Sequence, residues 1–506
     1  MRIMPVIAAG IALAVGRVGP FEPVQPDLLS AGGTLVNAWA DADGDGDPDL
    51  FVGFNGAPNR LYRNDRGTLV ETASAAGLAD ARATRAAAWG DYDRDGDADL
   101  LVGFAPGDAP VLRLYRNDGG RFTDVTTAAG LVVDRAAVRQ LAWVDVDRDG
   151  DLDLFVGFRD RANALFRNDG GRFADVAATL GLADARRTVG AVWFDADEDG
   201  DLDLYTGNMD GDANGLFRND GGRFADVAAD VGLAWGGRAP GEATNGTVRP
   251  CAADVDGDGR LDLFMANYGP NGLFLARDGG RWLDASASWG IAIDGRYDTC
   301  AFDDVDNDGR IDLYVNGTVT GGVSYPDTLF QNAGSRFEDV TPANVKALAA
   351  DHGAAWVDFD GDGDVDLSLT GSRPDGTHLV LRNMLAPDEA RRSLAVRVVD
   401  GNGRATLAGA EVRLFAAGTR RLVGTRLVDS GSGYNAQNDL PVRFGLADLT
   451  PVDVEVTVPG GGRRQVTRVA GVDPREHAGR ALVVRVGTSD GGPAAAVRER
   501  PAEGAR

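Results

Sequence analysis

The stretch Asp41-Ala-Asp43-Gly-Asp45-Gly46-Asp47-Pro-Asp49-Leu50 places carboxylates at positions 1, 3, 5 and 9 of a short loop, with glycine at 6. That spacing suits a hard cation. A tight loop lets the carboxylates at 1, 3 and 5 converge, the glycine permits the sharp turn, the carbonyl at 7 is available as a ligand, and the last Asp closes the shell. The first half follows the EF-hand pattern D-x-[DN]-x-[DN]-G. The second half departs from it: the closing carboxylate comes at 9, not as a Glu at 12, and Leu50-Phe-Val-Gly-Phe54 reads as a strand rather than a helix.

The pattern occurs seven times, its first aspartates spaced by 50, 54, 50, 59, 50 and 54 residues. Positions 1, 3, 5, 7 and 9 are Asp41, Asp43, Asp45, Asp47 and Asp49; Asp91, Asp93, Asp95, Asp97 and Asp99; Asp145, Asp147, Asp149, Asp151 and Asp153; and Asp195, Asp197, Asp199, Asp201 and Asp203. The last three copies are Asp254, Asp256, Asp258, Arg260 and Asp262; Asp304, Asp306, Asp308, Arg310 and Asp312; and Asp358, Asp360, Asp362, Asp364 and Asp366. Arginine at position 7 in two copies fits a ligand supplied by the backbone carbonyl, which leaves its side chain free to vary. Asp and Gly also make ordinary turns, but a turn does not require the same positions to be held seven times. The spacing predicts up to seven bound Ca²⁺.

Composition agrees. The net charge of −26 argues against a nucleic-acid partner. The aspartates at these positions make up 33 of the 77 acidic residues, and seven Ca²⁺ ions would bring −26 to −12. With two Cys and three His, neither a disulfide scaffold nor a His-rich zinc or catalytic centre is expected.

Each repeat of about 50 residues shows four strand-like pieces. One enters the loop (Ala86-Ala-Ala-Trp89) and one leaves it (Leu100 to Phe104). A third carries Arg-Asn (Leu114-Tyr-Arg-Asn117), and a fourth reads Phe-x-Asp-Val (Phe122-Thr-Asp-Val125). Gly-Gly pairs such as Gly170-Gly171 supply the last turn. Four short strands repeated seven times predict an all-β chain, a seven-bladed β-propeller over residues 17–385. The seventh repeat lacks its fourth strand, and Phe21-Glu-Pro-Val24 fits that place, with Pro23 suited to an outer edge.

Residues 1–16 read as a secretory signal, 386–392 as a polar linker, 393–487 as a small β-sandwich-like domain and 488–506 as a disordered tail. No later segment is long and apolar enough to span a membrane.

These repeats resemble FG-GAP/VCBS-type calcium-binding propeller repeats, as in the integrin α-subunit head. Gly431-Ser-Gly433-Tyr434-Asn-Ala-Gln437, Phe444-Gly-Leu446 and Val458-Pro-Gly-Gly resemble the ASPIC/UnbV domain. The pairing is similar to that of the cartilage acidic protein-like family and covers about residues 20–487. The resemblance implies a secreted, calcium-binding interaction protein with no established reaction. Repeat 5 departs from the pattern, with Leu273-Phe-Leu-Ala276 where Arg-Asn is usual.

Trp39, Trp89, Trp143, Trp193 and Trp356 stand two residues before their loops and are expected to fill the wedge between blades rather than to stack on sugars. His352, His378 and His477 share no spacing and read as incidental. Asn245-Gly-Thr247 and Asn316-Gly-Thr318 match a glycosylation acceptor. Connections opposite the metal loops vary in length, and Arg159, Trp235, Arg238, Tyr268 and Tyr325 in them are candidate ligand-face residues. Cys251 and Cys300 lie on first strands of neighbouring repeats, at odd and even offsets from their loops, so a disulfide between them is a candidate.

The expected function is that of an exported, monomeric, calcium-stabilised propeller that binds a protein or glycan without catalysis, either extracellular or periplasmic. The alternative is an extracellular polysaccharide lyase or hydrolase using the variable face, for which the sequence offers no convergent acid/base set.

Overall fold

The computed structural model describes residues 18–487 except 108–109, 321, 349–350, 372–377, 406, 430–435 and 439–440, together with 496–497. The signal expected at 1–16 and most of the Gly431–Gln437 motif lie outside these residues.

Repeat 1 folds as an antiparallel meander of Thr34–Ala40, Asp49–Phe54, Arg60–Asp65 and Thr68–Glu71. Repeats 2 to 4 follow with first strands Thr84–Gly90, Val138–Val144 and Thr188–Phe194. The first strands of repeats 5, 6 and 7 are Gly246–Ala253, Asp294–Asp303 and Asp351–Val357. The seventh sheet takes its outer strand from the other end of the chain. Phe21–Pro23 pairs with Leu379–Asn383, Phe21 opposite Asn383 and Pro23 opposite Leu381. First strands lie against one another in sequence order, and that of repeat 7 lies against that of repeat 1. The first strands therefore adjoin in a closed circle, from repeat 1 round to repeat 7 and back.

The inner strands are buried on both faces, which accounts for their near-continuous apolar runs. Between sheets the tryptophans fill the gap, all five buried. Trp89 packs against Phe51 of the preceding repeat at 6.5 Å and Phe122 of its own fourth strand at 5.8 Å. Its indole N–H donates to Ala38 O at 3.1 Å, and Trp143 and Trp356 donate to Ala88 O and Ala301 O in the same way. In repeat 7 it is Phe21 that packs on Trp356, 6.4 Å away.

Repeats 5 and 6 depart from the meander. Asp262–Pro270 and Asp294–Asp303 run longer than their counterparts and pair with each other, Tyr268 opposite Arg296. Cys251 and Cys300 form a disulfide across the same two repeats, with Cα atoms 6.3 Å apart.

Residues 393–487 build two further sheets around one apolar core that includes Val396, Val412, Leu414, Val454 and Val484. One sheet orders Val442–Gly445, Ser393–Val399, Leu482–Arg485 and Ala496–Val497; the other orders Leu422–Leu427, Glu411–Ala416, Val452–Pro459 and Arg464–Val472. Two residues of the stretch read as a tail, Ala496 and Val497, thus pair with a strand.

Candidate metal sites

The loop between the first two strands of each repeat is held by its own carboxylates in one recurring scheme. The Asp at position 1 accepts the backbone N–H of the glycine at 6 through Oδ2, at 2.8–3.2 Å in the first six loops. The Asp at 5 accepts the N–H of position 7 at 2.8–3.1 Å in all seven. The Asp at 9 accepts two backbone bonds. One comes from position 2, as Ala42 N to Asp49 Oδ2 at 2.9 Å, and one from the third strand, as Asn64 N to Asp49 Oδ1 at 2.8 Å. The same pair recurs at Asp99, Asp153, Asp203, Asp262, Asp312 and Asp366.

What these bonds leave over points to a cation. Oδ1 of Asp91, Asp145, Asp195, Asp254 and Asp358, all at position 1, is buried and accepts no hydrogen bond. The same holds for Oδ1 of Asp256, Asp306 and Asp360 at position 3. A buried, unpartnered carboxylate oxygen is costly, and its recurrence at position 1 in five of the seven loops suits the donor set of a hard ion. Carboxylate oxygens of Asp41, Asp43 and Asp45, or of Asp91, Asp93 and Asp99, come within 4.8 Å of one another, and seven such groups occur among the described residues. The site fits Ca²⁺.

Side chains at position 7 tie the loop to the third strand. Asp47, Asp97, Asp151, Asp201 and Asp364 accept N–H groups at or just after the end of the third strand, from Arg66, Gly119, Gly170, Gly221 and Leu385 at 2.9–3.3 Å. Arg260 pairs instead with Asp278, and Arg310 donates to Asn332 O while also pairing with Asp308 of its own loop, so the tie survives with its polarity reversed. Asp364 also keeps a buried Oδ1 that accepts no hydrogen bond, so in loop 7 position 7 offers a side-chain oxygen beside its backbone carbonyl.

Burial pushes Asp49 up to about 7, and Asp99, Asp153 and Asp203 up to about 8, against their two backbone hydrogen bonds. At position 1, burial and the neighbouring carboxylates hold Asp91 at about 6 and Asp145 at about 7. A divalent ion would offset this repulsion.

The third-strand asparagine links consecutive loops, a role its recurrence alone does not disclose. Asn117 Nδ2 donates to Ala42 O in the preceding loop at 2.7 Å, and Asn168, Asn332 and Asn383 reach Tyr92 O, Val255 O and Val305 O. Ala276 leaves repeat 5 without this bond to its neighbour.

Residues 393–487 lie over the metal-loop end of the circle. Gly445, in the Phe444-Gly-Leu446 motif, packs so closely on loop 6 that a Cβ there would fall 2.1 Å from Asp304 Oδ2. Arg443 pairs with Asp358 at 3.1 Å, and Arg464 lies 3.5 Å from Asp195 and 2.9 Å from Glu198. Charges of Arg397 and Arg426 bear on Asp41 and Asp304. Ala436 and Gln437 pair in parallel with Thr34–Ala40, while Gln437 accepts from Trp89 N at 2.7 Å and Asn438 from Trp356 N at 3.1 Å. This segment therefore enters the circle among the first strands.

Comparison with known proteins matches the FG-GAP-like repeat to residues 41–102, 145–206, 195–265 and 254–315, and the ASPIC and UnbV domain to 401–474. The chain belongs to the FG-GAP and ASPIC/UnbV family. It is similar to Cartilage acidic protein 1 of Xenopus tropicalis, 25% identical over 491 residues, spanning 87% of this chain and 73% of that one. Over 259 residues it is 27% identical to the Homo sapiens protein of the same name, covering 49% and 37%. Among solved structures, BBS1N in complex with ARL6DN aligns at TM-score 0.45 and 10% identity, over 73% of this chain and 97% of that one.

On the opposite end of the FG-GAP circle the expected ligand-face residues separate. Arg238 is not available to a ligand: it is 4% exposed and donates to Asp212 O at 2.7 Å and Asn214 Oδ1 at 2.9 Å. Trp235 lies under its guanidinium at 5.4 Å and packs into the core of repeats 4 and 5. Tyr325 is half-buried beside Thr318, to whose carbonyl its N–H donates. Arg159 and Tyr268 line one cavity. His352 is not incidental, since its Nδ1 pairs with Asp298. Asn245 and Asn316 are buried, Asn316 bonded to Asp327, so neither presents a glycosylation acceptor. Among the described residues no helix is long and apolar enough to cross a membrane.

Proposed function

We propose that this chain is an exported, calcium-binding seven-bladed β-propeller, capped by a β-sandwich, that binds a protein or glycan ligand as a monomer and without catalysis. The observation that carries the reading is the buried, unpartnered Oδ1 of the position 1 aspartates in five of the seven loops. Each Ca²⁺ would be held by the Asp side chains at 1, 3, 5 and 9 and the carbonyl at 7, and would supply positive charge where repulsion otherwise opposes folding. Seven sheets closed by Phe21–Pro23 support the propeller, and one shared core between two sheets supports the sandwich. The Cys251–Cys300 disulfide and open loops suited to extracellular calcium support export. A screen of immobilised glycans and extracellular proteins, run with calcium and with chelator, tests the binding role. A ligand retained only with calcium is expected; turnover of a polysaccharide by the purified chain would contradict it.

A further inference from the structure

Each first strand carries a β-bulge near its end away from the metal loops. The register slips between Thr34 and Val36, Thr84 and Ala86, Val138 and Gln140, and Thr188 and Gly190. It slips again between Thr247 and Arg249, Tyr297 and Thr299, and Asp351 and Ala354. A bulge leaves a residue out of the ladder and re-aims its side chain. Since first strands adjoin around the axis, the bulges ring its mouth. Their residues vary from repeat to repeat: Leu35, Arg85, Arg139, Val189, Val248, Asp298 and, in the seventh, His352 with Gly353.

Four consecutive bulges, Arg139, Val189, Val248 and Asp298, line one cavity of about 390 Å³. The long pairing of repeats 5 and 6 brings in Tyr268 with the Arg296 guanidinium 5.3 Å from its ring centre. Arg159 enters the wall in a forked pair with Asp210 at 2.9 Å. The wall thus combines guanidiniums (Arg139, Arg159, Arg296), carboxylates (Asp210, Asp298) and an apolar strip of Val189, Met209 and Val248.

We propose that this cavity binds a sugar unit of an acidic saccharide; the proposal rests on reading the chain as a ligand-binding module. Guanidiniums match a carboxylate, here those of Arg139 and Arg296, the Arg159 fork being held by Asp210. Asp210 already accepts from Arg159 and Asp298 from His352; their remaining lone pairs can accept only from donors, which sugar hydroxyls supply and an acidic amino-acid side chain does not. The apolar strip suits the C–H face of a pyranose, and the volume suits a small ligand. The remaining protein charge, −26 overall, opposes a polyanion elsewhere on the surface.

The test is calorimetric titration of the full, calcium-loaded chain with trimers of galacturonate, glucuronate and mannuronate, each beside its methyl ester, and with triglutamate. At least one acidic trimer should bind. Its methyl ester, which keeps the hydroxyls, and triglutamate, which keeps the charge, should bind about tenfold more weakly or worse. Arg139→Gln and Arg296→Gln should each weaken binding about tenfold, whereas Arg85→Gln, on a bulge outside the cavity, should not. Arg159→Gln gives the same readout should Arg296→Gln lose the fold. Binding by no trimer, equal binding by ester or peptide, or indifference to the arginine changes would overturn the proposal. If the calcium-dependent screen still yields a ligand, only this proposal fails; if it yields none, the wider reading fails with it.

Discussion

Asn64, in the third strand of repeat 1, donates its side-chain amide to the carbonyl of Phe359, in the metal loop of repeat 7, at 2.6 Å and 295 residues' separation. It is the same bond that Asn117 makes to Ala42 one repeat earlier, here made across the point where the chain closes on itself. Two independent closures meet in this region, the other being the pairing of Phe21–Pro23 with Leu379–Asn383.

Asn64→Ala should cost more than the same change at Asn219. Both asparagines hold their own loop and turn, through Pro48 O and Gly67 N in one case and Leu202 O and Gly222 N in the other. Only Asn64 adds the bond to a neighbouring loop. The difference should be about 1 kcal/mol, read from urea midpoints of the two variants; equal losses would mean that the closing bond carries nothing.

Deleting residues 20–26 removes the outer strand of repeat 7 and exposes Trp356 where Phe21 covered it. Loss of the Phe21 contact alone is worth about 2 kcal/mol, and the bared strand edge invites aggregation. Size-exclusion chromatography and a thermal melt of the truncated chain check this, and a parent-like melt and elution would contradict it.

In the metal-free protein, stability should fall as pH rises. Burial raises Asp91 to about 6, Asp49 and Asp145 to about 7, and Asp99, Asp153 and Asp203 to about 8, all from 3.8 when unfolded. Between pH 4 and 8 the folded chain therefore holds more protons than the unfolded one, and that contribution disappears as pH passes through the folded values. Chelated protein should melt higher at pH 5 than at pH 8, and saturating calcium should abolish or reverse the difference. A chelated melt that rises with pH would contradict the burial of these carboxylates.

Arg443 and Arg464 stand beside the first aspartates of loops 7 and 4, where a guanidinium competes electrostatically with a bound cation. Arg443→Gln should tighten one calcium site by a few-fold to about tenfold while loosening the C-terminal domain. Calorimetric calcium titration of parent and variant checks this; an unchanged binding isotherm would mean that the domain does not tune loop 7.

The clustering of loop carboxylates was legible because these aspartates sit within nine residues of sequence, so residue type and spacing carry the signal. The closing strand was legible because Phe21 keeps the aromatic of the fourth-strand motif, and the disulfide candidate because side-chain parity on two strands is local. The role of Asn64 was not legible: its letter recurs, but its partner lies in another repeat. Arg238 reads as a solvent-exposed cation, yet carbonyls from repeat 4 enclose it. The bulges left no trace in residue type, because a slipped register accepts Leu, Arg, Val, Asp or His alike. Docking of residues 436–438 inside the circle joins positions 348 residues apart, as Gln437 to Trp89, beyond any sequence period.

The most direct test is to count calcium and then remove it. Native mass spectrometry of the purified chain should show up to seven Ca²⁺ per molecule, and exhaustive chelation at pH 7.5 should lower the melting temperature by well over 10 °C, restored by added calcium, as expected for ions that bind only the folded state. A chain that carries no calcium and melts at the same temperature before and after chelation would contradict the account.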